Sequence, residues 1–215
     1  MGARGLRVND KTAKKYLLSK ATLNLLRSKT RAEIFSWLRS QDRQYALAFD
    51  GNGNLVNGVS GGKLGVDIPE EFKPIENGEL IYSHVGTGQE GGTKVHGYGG
   101  AMTPSALEIL GNSSWKSITA VGQEGSYTAT VVDENKRRSL PGKMRKFKNL
   151  TKSTATHKGN WERSYQKEFR AQKALGYSDD RAASKARVAA IIKTFDTYYT
   201  RNASKLGIDY KFTKR

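Results

Sequence analysis

The sequence predicts an α+β protein: a small central α/β domain with a helical extension on either side. Apolar residues recur at helical spacing up to Leu38 and again beyond residue 160, whereas residues 45–135 alternate and turn on glycine. Charge changes sign at the same places. Residues 1–45 carry 11 basic and 3 acidic side chains, a net of +8. Residues 46–135 carry 4 and 11, a net of −7, and residues 136–215 carry 22 and 6, a net of +16. With 215 residues the chain can build one good core and a small second module. It divides into a basic helical N-terminal arm (1–44), an acidic α/β domain (45–135), a basic extended linker (136–160) and a basic helical C-terminal module (161–215).

The arm is helical because Tyr16, Leu17, Leu23 and Leu26 follow Asn9 or Asp10 as a possible N-cap. Thr30 and Glu33 then fit a capping box, and Ile34, Phe35, Trp37 and Leu38 give the next helix an apolar side. That side needs cover from the central domain or from a neighbouring chain. In the middle, Tyr45, Leu47 and Phe49 alternate, Asp50-Gly51-Asn52-Gly53 turns, and Leu55 and Val56 resume, which predicts a β-hairpin. "GVDIPEEF" adds a short strand stopped by Pro69, and "ELIYSH" a strand that ends at His84. Thr103 caps a helix with Pro104 at its first position. "SITAVGQEGSYTATVV" supplies two further strands joined around Gly122 to Gly125.

Residues 136–158, "KRRSLPGKMRKFKNLTKSTATHK", hold nine basic and no acidic side chains. So charged a run predicts an extended segment that orders on a partner, with Met144, Phe147 and Leu150 forming a weak amphipathic face on binding. Beyond it Asn160 can cap a helix carrying Trp161, Tyr165 and Phe169 and ending at Gly176. Ser178 caps the last helix, with Asp179 and Asp180 in its first turn and Ala183, Ala186, Ala190, Ile191, Phe195 and Tyr198 along its inner side. "LGIDYKFTKR" closes the chain as a short strand or extended tail.

Composition narrows the chemistry. There is no cysteine, so disulfides and thiolate metal sites are excluded. No apolar run approaches the length of a transmembrane helix. The N-terminus lacks the apolar region of a signal peptide, and Leu6 breaks the myristoylation pattern, so the expectation is a protein made and kept inside a cell or packed into something assembled there. "GVSGGKLG" at 58–65 lacks P-loop spacing, because Leu64 follows Gly62-Lys63. No serine elbow frames His84, His96 or His157. The net charge of +17 points to a polyanionic or acidic partner. Within the linker, Lys136, Arg137, Arg138, Lys143, Arg145, Lys146, Lys148 and Lys152 are the residues expected to meet it.

The order of parts, hairpin "DGNGNLV", strand "GELIYSH", glycine-rich loop, "TPSALEIL", then "SITAVGQEGSYTA", resembles the JAB/MPN (JAMM) metalloprotease-like domain, in the divergent versions found in bacteriophage head and virion proteins. The resemblance spans about 90 residues. The "W…Y…F…LGIDYKF" ending is similar in composition to phage minor head proteins. The family's motif, His-x-His-Pro followed by Ser-x-x-Asp with an earlier glutamate, holds zinc and an activated water. In this chain Tyr82 stands at the first His, His84 at the second, Val85 at the Pro and Ala106 at the Asp. His96 and Glu108 are the residues that could rebuild a ligand set, and Glu33 is the upstream glutamate available as a base. The resemblance therefore implies a JAMM-like domain without its catalytic metal, and no cofactor is expected. It implies a virion-associated structural protein of a tailed bacteriophage, in the head, near the portal or ejected with the genome, and assembled in the host cytoplasm. Its partners would be other virion subunits and the backbone of double-stranded DNA. Two other classes stay open: a hydrolase, either a metallopeptidase with rebuilt ligands or a nuclease, and a free nucleic-acid-binding protein.

Overall fold

The computed structural model describes residues 6–62, 65–84, 89–90, 93–94, 102–153 and 155–215. The chain begins with β1 (Arg7–Val8), α1 (Asp10–Ala13), α2 (Lys20–Arg27) and α3 (Arg31–Ser40). The Arg7 guanidinium grips Asp67 with both its Nε and Nη2, at 2.9 and 3.2 Å, and holds β1 parallel to β4 (Asp67–Ile68). Asn9, Ser19 and Thr30 each cap the helix that follows through a side-chain oxygen, and Thr30 with Glu33 completes a capping box.

Asp50 folds the first hairpin. Its carboxylate accepts the backbone N–H groups of Asn52 and Asn54, and Gly53 takes φ +83°, so β2 (Tyr45–Phe49) returns as β3 (Leu55–Ser60). The remaining elements are β5 (Glu79–Ser83), β6 (Gln89–Glu90), β7 (Thr93–Lys94), α4 (Pro104–Gly111), β8 (Ser117–Val121), β9 (Gly125–Val131), α5 (Glu134–Arg137), α6 (Leu140–Ser153), α7 (Ala155–Ala174), α8 (Asp179–Leu206) and β10 (Ile208–Lys214). Six strands form one mixed sheet in the order β10-β9-β8-β5-β2-β3, antiparallel throughout except for β5 beside β8. The protein is thus a mixed α+β fold, and α4 lies on the crossover that joins the parallel pair.

Alternation along the strands sorts side chains to two faces. Ala46, Leu80, Tyr82, Ile118, Ala129 and Ile208 enter one core with α4, α6 and α8. Leu47, Phe49, Ile81 and Val121 enter the other with Leu23 and Leu26 of α2 and Ile34 and Leu38 of α3. The apolar side of the first 44 residues therefore finds its cover in the central sheet, against Leu47, Phe49, Ile81 and Val121. Phe35 and Trp37, at its margin, are half-buried.

Residues 136–160 depart from the extended linker the charge count suggested. They are helical in α5, α6 and the start of α7, with the described part of α6 running past Met144 and Phe147. Leu140, Met144 and Phe147 fall at i, i+4 and i+7, one helical face, and all three are buried against α4 and α8. The Phe147 ring stacks on Tyr198 at 3.8 Å. Asn160 lies inside α7 rather than capping it, because the helix starts five residues earlier. α7 and α8 pack as a pair, turned at Gly176 (φ +82°) and tied by Lys173 to Asp179 at 2.7 Å. Ser178 holds the N-cap position of α8 without a side-chain bond, and Ala182, Ala186 and Ala190 are its buried small residues. The final residues complete the sheet as β10.

Candidate functional site

The carboxyl ends of the parallel pair are where an open α/β sheet offers a crevice. β5 ends there at Ser83, and the main-chain N–H of His84 continues the ladder by donating to the Val121 carbonyl at 2.9 Å. Alternation aims Leu80, Tyr82 and His84 to the α4 side. The Tyr82 hydroxyl accepts the backbone N–H of Thr103 at 3.3 Å and donates to the Met102 sulfur at 3.8 Å. Thr103 in turn caps α4 by accepting the N–H of Ala106 at 3.2 Å. Burial pushes the phenol of Tyr82 up to about 12. His84 packs edge-on against Tyr82, with ring centroids 5.1 Å apart, and is 3% exposed. Burial lowers its imidazole to about 4, so it is neutral at physiological pH.

These residues do not fit a zinc centre. The Tyr82 hydroxyl is spent on Met102 and the start of α4. Ala106 offers no donor and is wholly buried. Glu108 is bound to Lys148 of α6 at 2.7 Å. Glu33 takes the backbone and hydroxyl of Thr30, each at 2.7 Å, and those bonds hold its carboxyl below the usual range. Its helix packs on the face of the sheet opposite α4, so the strands stand between Glu33 and Tyr82. His96 lies outside the described residues. Among the described residues no three His, Asp or Glu side chains gather as a metal site.

The basic candidates divide into two sets. Arg137 is 13% exposed and donates to the carbonyls of Ser113 and Trp115 while its other edge holds Glu134. Lys136 pairs with Asp133 and donates to the Ser204 carbonyl, Lys143 donates to the Lys205 carbonyl, and Lys148 holds Glu108. These four bind the helices to each other. Arg138, Arg145 and Lys146 are exposed, and no ion pair involves them among the described residues. Lys152 lies in α6, its side chain beyond what is described.

The sequence reading missed a second basic feature. A cleft of about 430 Å³ opens between α2, α3 and the β2–β3 turn, with Leu26, Ile34, Phe49 and Leu55 as its floor and Arg27, Lys29 and Arg31 at its rim. The three cations alternate at residues 27, 29 and 31, leading into the capping box of Thr30 and Glu33, and that spacing was the only signal available. No family model, curated protein or solved structure matches this chain.

Proposed function

We propose that this chain is a structural protein of a tailed-bacteriophage particle, in the head, near the portal or ejected with the genome. In this reading the central sheet with α4 is a JAMM-like domain that no longer binds metal, and its basic surfaces touch DNA or neighbouring subunits. The observation that carries it is Tyr82. A phenol at a ligand position, hydrogen-bonded to the start of the helix that should bring the aspartate, keeps the frame of such a site and turns it into core. The chain path supports the likeness, since β5 leads through the glycine-rich segment and α4 to a parallel β8. Particles purified from cells producing the chain should contain it as a stoichiometric band. Its absence from particles, together with hydrolysis that a chelator stops, would favour a hydrolase instead.

The outward cations Arg138, Arg145 and Lys146 favour one further reading, a nucleic-acid-binding protein that acts outside any particle. It requires tight, salt-dependent duplex binding by the isolated chain and no enrichment in particles.

A further inference from the structure

The two edges of the six-stranded sheet are treated differently. The β3 edge is blocked. Leu18 N–H donates to the Gly58 carbonyl at 2.9 Å, Leu17 bridges Val59, and the Arg27 guanidinium donates to the carbonyls of Leu55 and Val56 at 3.0 and 3.1 Å. Covering an edge in this way prevents a foreign strand from adding to it.

At the other edge lies β10, seven residues long, and the ladder fixes which of its groups are spare. Val132 N–H donates to the Gly207 carbonyl at 3.0 Å, Arg215 N–H donates to the Glu124 carbonyl at 3.1 Å, and the register between them runs from Ile208 opposite Val131 to Lys214 opposite Gly125. Hydrogen-bonded positions alternate along an antiparallel pair. Asp209, Lys211 and Thr213 therefore bond inward to β9, and Ile208, Tyr210, Phe212 and Lys214 turn their N–H and C=O outward. Among the described residues, no strand pairs with that side.

Side chains say what would fit. On the α8 face of the sheet, Phe212 is 41% exposed beside Tyr127, with ring centroids 4.6 Å apart. On the opposite face Asp209, Lys211, Thr213 and Arg215 are exposed, whereas Lys214 lies on the Phe212 side. We propose that β10 is a docking edge for an extended segment of another protein in which apolar and acidic residues alternate. The apolar residues would lie on the Phe212 side and the carboxylates opposite Lys211, as cross-strand pairing favours. A second copy is the poorer occupant. In the two-fold register that pairs all seven residues, Lys211 would face its own counterpart, and each chain brings a net charge of +17. The inference goes beyond the phage reading and does not depend on it.

The test uses the full chain and a fluorescent nonapeptide in which glutamate alternates with valine and phenylalanine. Two control peptides have lysine for glutamate, or the same composition with the glutamates in one block. Anisotropy should show saturable binding of the alternating acidic peptide, at least about tenfold tighter than either control and weaker at high salt. F212P removes an outward N–H and leaves the β9 ladder whole, since proline is tolerated where an edge N–H faces solvent. It should abolish that binding. The exposed pair K211E/R215E, both on the face opposite Phe212, should instead transfer the preference to the lysine peptide, which keeps the test informative if F212P fails to fold. Equal binding of the block peptide, no effect of either variant, or no binding of any peptide would overturn the proposal. Self-association of the chain that F212P abolishes would overturn the choice of occupant. Particle incorporation is a separate measurement, so failure of the phage reading would leave this result standing.

Discussion

Tyr82 spends its hydroxyl on the backbone that begins α4, so its worth is measurable as stability. Tyr82→Phe leaves the Thr103 N–H buried without its acceptor and should cost about 1–3 kcal/mol, read as a lower urea midpoint at unchanged slope. His84 predicts a pH dependence. Its imidazole is lowered to about 4 in the folded protein, so the unfolded chain takes up the proton first as pH falls. The stability it supports is whole above its ordinary range near 6.5, and declines as pH falls from there to about 4. The loss should reach about 3 kcal/mol, and His84→Gln should flatten that window. The burial of His84 was legible as the end of an apolar strand. The use of Tyr82 was not, because its partners sit 20 and 21 residues away, across a segment whose path no local pattern fixes.

At the scale of elements, α6 is where charge and periodicity gave opposite answers. Nine cations in 136–158 read as a chain too charged to fold alone, yet Leu140, Met144 and Phe147 form one helical face. Hydrophobic burial decides the outcome, because the cations need only point outward or reach a carbonyl. Phe147→Ala should therefore cost about 3–5 kcal/mol, whereas Arg145→Gln and Lys146→Gln should each stay within about 0.5 kcal/mol in the same melts. DNA binding separates the two sets of cations. Replacing Arg138, Arg145 and Lys146 together by Gln should lower the log–log salt slope by up to about 3 and leave the fold alone. Arg137→Gln should destabilise the protein, since it vacates the Ser113 and Trp115 carbonyls, and should leave that slope unchanged. The capping box, the β2–β3 hairpin and the Pro104 helix start were readable because each is set by neighbours within four residues. The β10 pairing was not, since it joins residues about 80 positions apart.

For the whole molecule, the sheet is the frame and both ends of the chain complete it. α2 and α3 cover one face and β10 extends the far edge, so the division by charge into arm, domain and module does not describe how the chain packs. Truncation before Gln44 uncovers Leu47, Phe49, Ile81 and Val121, and the product should bind a hydrophobic dye or aggregate rather than fold. The proposed function holds that the crevice beyond β5 and β8 is a metal site that has lost its ligands. Zinc content per chain tests it, measured on the protein as it stands and on Tyr82→His/Ala106→Asp folded in the presence of zinc. The native protein should hold no stoichiometric zinc and melt identically with chelator, while the double variant should hold about one ion and melt lower when it is stripped. One zinc in the native protein that is lost on His84→Ala would contradict the account, as would a folded double variant that takes up none.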